Sequence, residues 1–180
     1  SQLVYALGAE LYRLDLNQAA AAQKLAIQLS GDFDQQRQRW VAKPQDFLTH
    51  TAFAPNGERV VLTSRGRLAT QGVTPLRRAE LAAPAGLADA GRCRDAEFSA
   101  DSRSVFALCD YSGELEIWRF ATNGLAAPQQ ITQGADAMRQ SLLPSPDGRW
   151  IAHTDKQGRL HLTDLQAKDI AQSSRVLDRD

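Results

Sequence analysis

Few side chains in this 180-residue chain could do chemistry. The candidate bases and metal ligands are His50, His153 and His161, and the candidate thiols are Cys93 and Cys109. His153 and His161 flank one predicted hairpin, so they could approach each other as a metal pair. A zinc set needs three or four ligands, and no further carboxylate or cysteine is placed to complete one. Asp155 is assigned to the turn, and the two histidines are read as ordinary strand residues. Nucleophilic catalysis needs a base within hydrogen-bond reach of the nucleophile and donors for the oxyanion. No G-x-S-x-G elbow is present. Ser102, Ser112 and Ser145 fall in predicted turns, where serine is expected on conformational grounds alone. The carboxylates lack the spacing of a calcium loop, and there is no glycine-rich phosphate loop. No catalytic residue, metal or cofactor is therefore expected.

The cysteines have a geometric relationship. In the hairpin that turns near Asp101, opposed residues sum to about 202, as 98 + 104 and 93 + 109 both do. Cys93 and Cys109 would then sit opposite each other on neighbouring strands. Two readings follow: a disulfide in an oxidising compartment, or two small buried thiols. The second is preferred, because free cysteine packs as a small hydrophobe.

The elements that position these residues are repeated. Phe53-Ala54-Pro55-Asn56-Gly57 recurs as Phe98-Ser99-Ala100-Asp101-Ser102 and as Pro144-Ser145-Pro146-Asp147-Gly148, at steps of 98 − 53 = 45 and 144 − 98 = 46 residues. An apolar run follows each turn: Val60–Thr63, Ser104–Leu108 and Trp150–His153. Next come a glycine (Gly66, Gly113, Gly158) and an alternating strand. Asn-Gly and Asp-Gly tolerate positive φ and close hairpins. Asp101-Ser102 is a poorer version, so a turn of another type is expected there. Short strands at this period predict an all-β chain, a partial β-propeller of about four blades. The blades span approximately 1–30, 48–82, 94–133 and 139–178, and the first lacks its innermost strand.

Residues 31–47 break the period and read as one short inserted helix. Asp32 and Gln35 form a capping box at its start, and Pro44 should end it. Phe33, Trp40 and Val41 would bury one side, with the Arg37 stem along them. Crossing one face of the disc, this helix would be a plug, or a gate or peptide-docking surface using Arg37, Arg39 and Trp40.

Lys and Arg total 21 and Asp and Glu 21, so nothing in the charge pulls toward nucleic acid or an anionic membrane. No apolar run approaches the roughly 20 residues that span a bilayer. The start shows no signal-peptide pattern, which says nothing if the chain is an internal piece.

Ser145-Pro146-Asp147-Gly148 resembles the PD-type propeller repeats of several bacterial families. Asp32-Phe33-Asp34-Gln35, then Arg39-Trp40-Val41 and Pro44, resembles a stretch in the propeller region of tricorn-protease-like proteins. Leu62–Gly66, Arg94–Phe98 and Pro144–His153 are also similar to that family, and Gln71–Arg92 departs from it. The resemblance implies a self-compartmentalising serine peptidase that trims oligopeptides, with its catalytic region outside the propellers. None of that machinery matches here.

The favoured expectation is thus a non-catalytic propeller segment that guides or gates oligopeptides. Its partners would be the remaining blades and catalytic region of a parent chain. The alternative is a periplasmic binding scaffold similar to the Tol-system propeller, with no protease. The compartment, bacterial cytoplasm or periplasm, is left open. Uncovered sheet faces and edges would favour self-association.

Overall fold

The computed structural model describes residues 1–7, 10–17, 21–28, 30–31, 34, 37, 39–74, 77–87 and 91–178. The chain is all-β, with four antiparallel sheets of three or four strands. By contact it divides into two compact units, Ser1–Val41 and Ala42–Asp180.

The first unit holds β1 (Gln2–Leu7), β2 (Glu10–Asp15) and β3 (Gln23–Lys24), in that order across one sheet. Leu3 opposes Leu14 and Tyr5 opposes Tyr12. The two tyrosine rings stack at 5.7 Å, an aromatic cross-strand pair of the kind that fixes register. Lys24 on β3 is paired with Glu10 on β2 at 2.9 Å.

The second unit holds three sheets, each an up-and-down meander of the propeller-blade type. The first is β4 (Leu48–Phe53), β5 (Arg59–Ser64), β6 (Arg67–Gly72) and β7 (Ala79–Leu81). The second is β8 (Cys93–Phe98), β9 (Ser104–Cys109), β10 (Glu116–Ala121) and β11 (Gln129–Gln130). The third is β12 (Arg139–Pro144), β13 (Trp150–Asp155), β14 (Leu160–Asp164) and β15 (Arg175–Asp178). The apolar runs read from the sequence lie in β5, β9 and β13. β4 lies beside β8, and β8 beside β12, so first strands neighbour one another from sheet to sheet. Two cores form between the sheets. Val61, Leu68 and Leu81 pack with Cys93, Phe98, Val105, Ala107 and Trp118. Phe106, Leu108, Ile117 and Ile131 pack with Leu142 and Ile151. β9 serves both, because its successive side chains point to opposite faces.

The repeated turns are alike, which corrects one expectation. Gly57 and Gly148 have φ of 73° and 71°, and Ser102 takes the same left-handed conformation at 60°. In each turn this residue's N–H donates to the carbonyl three residues back. Ser102 is buried, and its Oγ accepts the Asn56 N–H at 3.2 Å. That bond joins the turn of one sheet to the turn of the next, and it offsets the strain of a non-glycine residue at positive φ. A second repeated device is a register shift early in each first strand: Leu48/His50, Arg94/Glu97 and Arg139/Ser141. Such bulges re-aim side chains near a sheet end.

The helix expected over 31–47 falls partly outside the described residues. Its capping box, Asp32 and Gln35, and its Phe33 lie outside the described residues. Among the described residues of 31–47, Pro44–Phe47 form a 3-10 turn, with Lys43 in the left-handed region at φ 58°. Proline's fixed φ suits the first position of a helical turn, and its ring disfavours helical geometry in the residue before it. Pro44 therefore starts a turn instead of ending a helix. Trp40 and Val41 do not form a buried stripe, since Trp40 is fully exposed and Val41 is 41 % exposed.

Candidate functional site

The densest collection of chemistry-bearing side chains lies between the β8–β11 and β12–β15 sheets. Glu116 opens β10, Arg139 opens β12, His153 and Asp155 end β13, and His161 is on β14. Glu116, Arg139, His153 and Asp155 are buried. Charges can be buried only where partners replace water, and the partners are here.

Glu116 Oε2 accepts from Arg139 Nε and Nη2, each at 3.0 Å, and from Thr132 Oγ1 at 2.5 Å. Its Oε1 accepts the Ala135 N–H at 2.8 Å. This ion pair joins two sheets, and Arg94 Nη2, reaching from β8, donates to the Arg139 carbonyl at 2.5 Å. Arg139 Nη1 donates in turn to His153 Nδ1 at 3.3 Å. A guanidinium has no acceptor, so His153 Nδ1 bears no proton. Nε2 carries it and donates to Thr163 Oγ1 at 3.1 Å. Burial, the Arg139 charge and then His161 push the His153 imidazole down to about 3, so the ring is neutral.

His161 opposes His153 across the β13–β14 ladder, and the rings stack at 4.8 Å, with 5° between their planes. His161 Nε2 donates to Asp155 Oδ2 at 2.8 Å. Asp155 also serves the turn, accepting the Gln157 and Arg159 N–H groups at 2.9 and 3.2 Å, and it takes Arg159 Nε at 2.7 Å. Burial alone would raise the Asp155 carboxyl. The hydrogen bonds from His161, Arg159 and the turn outweigh that and hold it well below the usual carboxylate range. Arg159 completes the cluster with a two-pronged contact to Asp136 at 2.6 and 2.9 Å, which lowers Asp136 and raises Arg159.

A cleft of about 280 Å³ borders this cluster, lined by residues that include Arg139, Asp155, Arg159, His161 and Ser174. Ser174 Oγ lies 3.3 Å from His153 Nε2. A serine nucleophile needs an unprotonated imidazole nitrogen, with a carboxylate holding the opposite N–H. Here the nitrogen facing serine is protonated, and an arginine occupies the carboxylate's place. The contact is a structural hydrogen bond. Among the described residues no group of three or more His, Cys, Asp and Glu could hold a metal ion.

Most other residues singled out by the sequence have bonding partners of their own. His50 on β4 pairs with Glu97 on β8 at 3.0 Å. Ser145 Oγ bonds the Asp147 carboxylate and the Trp150 N–H, as a turn serine does. Arg37 pairs with Asp34 at 3.1 Å, Arg39 donates to the Asp34 carbonyl at 2.9 Å, and Trp40 stands in solvent. Cys93 and Cys109 oppose each other and are joined by a disulfide, with Cα atoms 4.1 Å apart, instead of standing as two thiols. The Glu116–Arg139 pair escaped the sequence reading. Glu116 sits in an alternating strand, and nothing local marks its partner 23 residues on.

No protein-family model matches the chain, and no curated protein sequence is similar to it. Solved structures of similar fold are numerous, with 284 matching chains, so the fold by itself does not define an activity. One of them is a puromycin-hydrolyzing peptidase of Mycobacterium tuberculosis, 16 % identical in sequence, with a TM-score of 0.58. The match covers 95 % of this chain and 27 % of that one, so the chain spans about a quarter of the peptidase's length.

Proposed function

We propose that this chain is a non-catalytic β-propeller segment of a tricorn-like serine peptidase, guiding or gating oligopeptides on their way to a catalytic region carried elsewhere. The observation that carries this reading is the fold match of nearly the whole chain to about a quarter of a peptidase. The chemistry of the buried cluster supports the non-catalytic part. Its imidazole has the wrong tautomer for a general base, and its carboxylates Glu116 and Asp155 are bound by arginines. Trp40 is the most exposed large apolar side chain among the described residues, and Arg37 and Arg39 are close to it in sequence.

The disulfide favours a second reading in part. Disulfides persist mainly in oxidising compartments, which suits a periplasmic setting and the Tol-like binding scaffold. The two readings part on hydrolysis. Fluorogenic peptides are offered to the purified chain and to the longer protein that carries it. The peptidase reading expects turnover by the longer protein and none by the chain. Turnover by the chain refutes the division of labour, and an inert longer protein favours the scaffold.

A further inference from the structure

We propose that the cavity between the β8–β11 and β12–β15 sheets, at the end where their repeated turns lie, binds a free α-amino acid with an apolar side chain. Both walls are sheets of this chain, and the argument does not use the peptidase reading.

The repeat shows why a cavity forms here. Equivalent residues lie 45 or 46 positions apart, so Ser102 corresponds to Gly148, as 148 − 102 = 46. Val61 corresponds to Phe106, as 106 − 61 = 45, and their cross-strand partners Thr70 and Arg119 correspond in turn. At the junction of β4–β7 with β8–β11, Ser102 Oγ accepts the Asn56 N–H at 3.2 Å. Buried Thr70 Oγ1 there donates to the Thr122 carbonyl at 2.7 Å. Two short side chains thus tie those sheets together. At the next junction the equivalent residues make neither bond. Gly148 has no side chain, and a Cβ placed there would meet only the Ala100 Cβ, at 4.0 Å. Arg119 donates within its own sheet, from Nη2 to Gln129 Oε1 at 2.7 Å. A cavity of about 250 Å³ remains. That is just under the roughly 300 Å³ at which pockets for drug-sized ligands begin, and it suits a single amino acid.

The lining selects the ligand. Phe106, Pro144 and Leu165 give it an apolar wall. Pro144 lies opposite Ile151, and Phe106 and Leu165 pack with Ile151 in the core the two sheets share, so this wall is held in place. Three charges border the same space: Asp101 and Asp147 from the two turns, and Arg119 from β10. None of the three forms an ion pair among the described residues. Asp101 Oδ1 accepts Ser99 Oγ and the Arg103 N–H, and Asp147 Oδ1 accepts Ser145 Oγ and the Arg149 N–H. The serine hydrogen bonds, and after them the backbone ones, hold both carboxyls below the usual aspartate range, so both are ionised at neutral pH. Their turns engage Oδ1 and leave Oδ2 of each for a ligand. Two carboxylates repel a simple anion, and a guanidinium repels a simple cation. A zwitterion satisfies both, with its ammonium toward the aspartates and its carboxylate on Arg119 in a charge-assisted pair. Its side chain then lies on the apolar wall.

The test is isothermal titration calorimetry of L-leucine into the whole chain, with circular dichroism confirming that the chain and each variant are folded. Leucine is expected to bind at one site. N-acetyl-leucine lacks the ammonium and leucinamide lacks the carboxylate, and each should bind about tenfold more weakly or worse, the worth of one hydrogen bond to a charged group. Gly148→Ser introduces the side chain that fills the earlier junction, at a φ of 71° close to the 60° that Ser102 adopts. It should weaken leucine binding by a similar factor. Arg119→Gln should weaken leucine equally and leave leucinamide unchanged. A folded chain that takes up no leucine at millimolar concentration overturns the proposal. So does leucine binding undiminished in either variant, which would put the ligand elsewhere. Either analogue binding as tightly as leucine overturns it too, since the site would then not read a zwitterion.

Discussion

Lowering the pH from 7 to 5 should cost this fold stability through one side chain, His153. The ring is buried, faces the Arg139 guanidinium through Nδ1, and stays neutral because protonation is pushed down to about 3. In the unfolded chain the same ring protonates near 6.5. Between those values the unfolded state binds a proton that the folded state refuses, so stability falls as pH falls. At about 1.36 kcal/mol per pKa unit, the full loss below pH 3 is roughly 5 kcal/mol. Over the interval from pH 7 to 5 the loss from this group is about 2 kcal/mol. Asp155 and Asp136 contribute the same sign at lower pH. Their depressed carboxyls stabilise the fold above the ordinary aspartate range, and that contribution disappears as pH falls through their folded values. The assay is urea unfolding at pH 7, 6 and 5 for the wild-type chain and for His153→Gln. The variant lowers stability at every pH but should flatten the dependence by about 2 kcal/mol over the interval. Parallel losses in the two proteins would mean that the ring is not held neutral, and the tautomer argument would fall with it.

Two further perturbations address the same structure. Replacing Glu116 by Ala leaves the Arg139 charge buried without its partner, at a cost of roughly 3–5 kcal/mol in chemical denaturation. Replacing both by methionine should recover most of that loss, and a double variant no better than Glu116→Ala would contradict the pairing. Removing the disulfide with Cys93→Ala and Cys109→Ala together opens a loop of 16 residues, with an expected loss of about 3 kcal/mol. A urea midpoint that does not move would show that the bridge constrains nothing.

Much of the fold was legible because a tandem repeat displays its elements several times. The turns at Asn56-Gly57 and Asp147-Gly148 announce themselves by residue type, and the apolar runs after them lie in β5, β9 and β13. The turn at Ser102 differs from what its residue types suggest, for a physical reason. Its left-handed backbone is supported by the Asn56 N–H from another sheet, which no local pattern encodes. Residues 31–47 carry helix-like spacing, but Pro44 fits the start of a turn as well as the end of a helix, and sequence does not choose between them. The turn role that its sequence position suggests for Asp155 is met, as it accepts the Gln157 and Arg159 N–H groups. Its second role toward His161 depends on β14 folding back alongside β13. The buried pair of Glu116 and Arg139 was illegible, because strand alternation places Glu116 without saying that another sheet will cover it.

The most direct test of the proposal that this segment is non-catalytic is covalent labelling with a fluorophosphonate, which captures activated serines. The purified chain is treated at neutral pH and its mass measured. The account predicts an unmodified chain, with Ser174 inert because the His153 nitrogen facing it already carries a proton. A stoichiometric adduct, above all one mapped to Ser174, would contradict it.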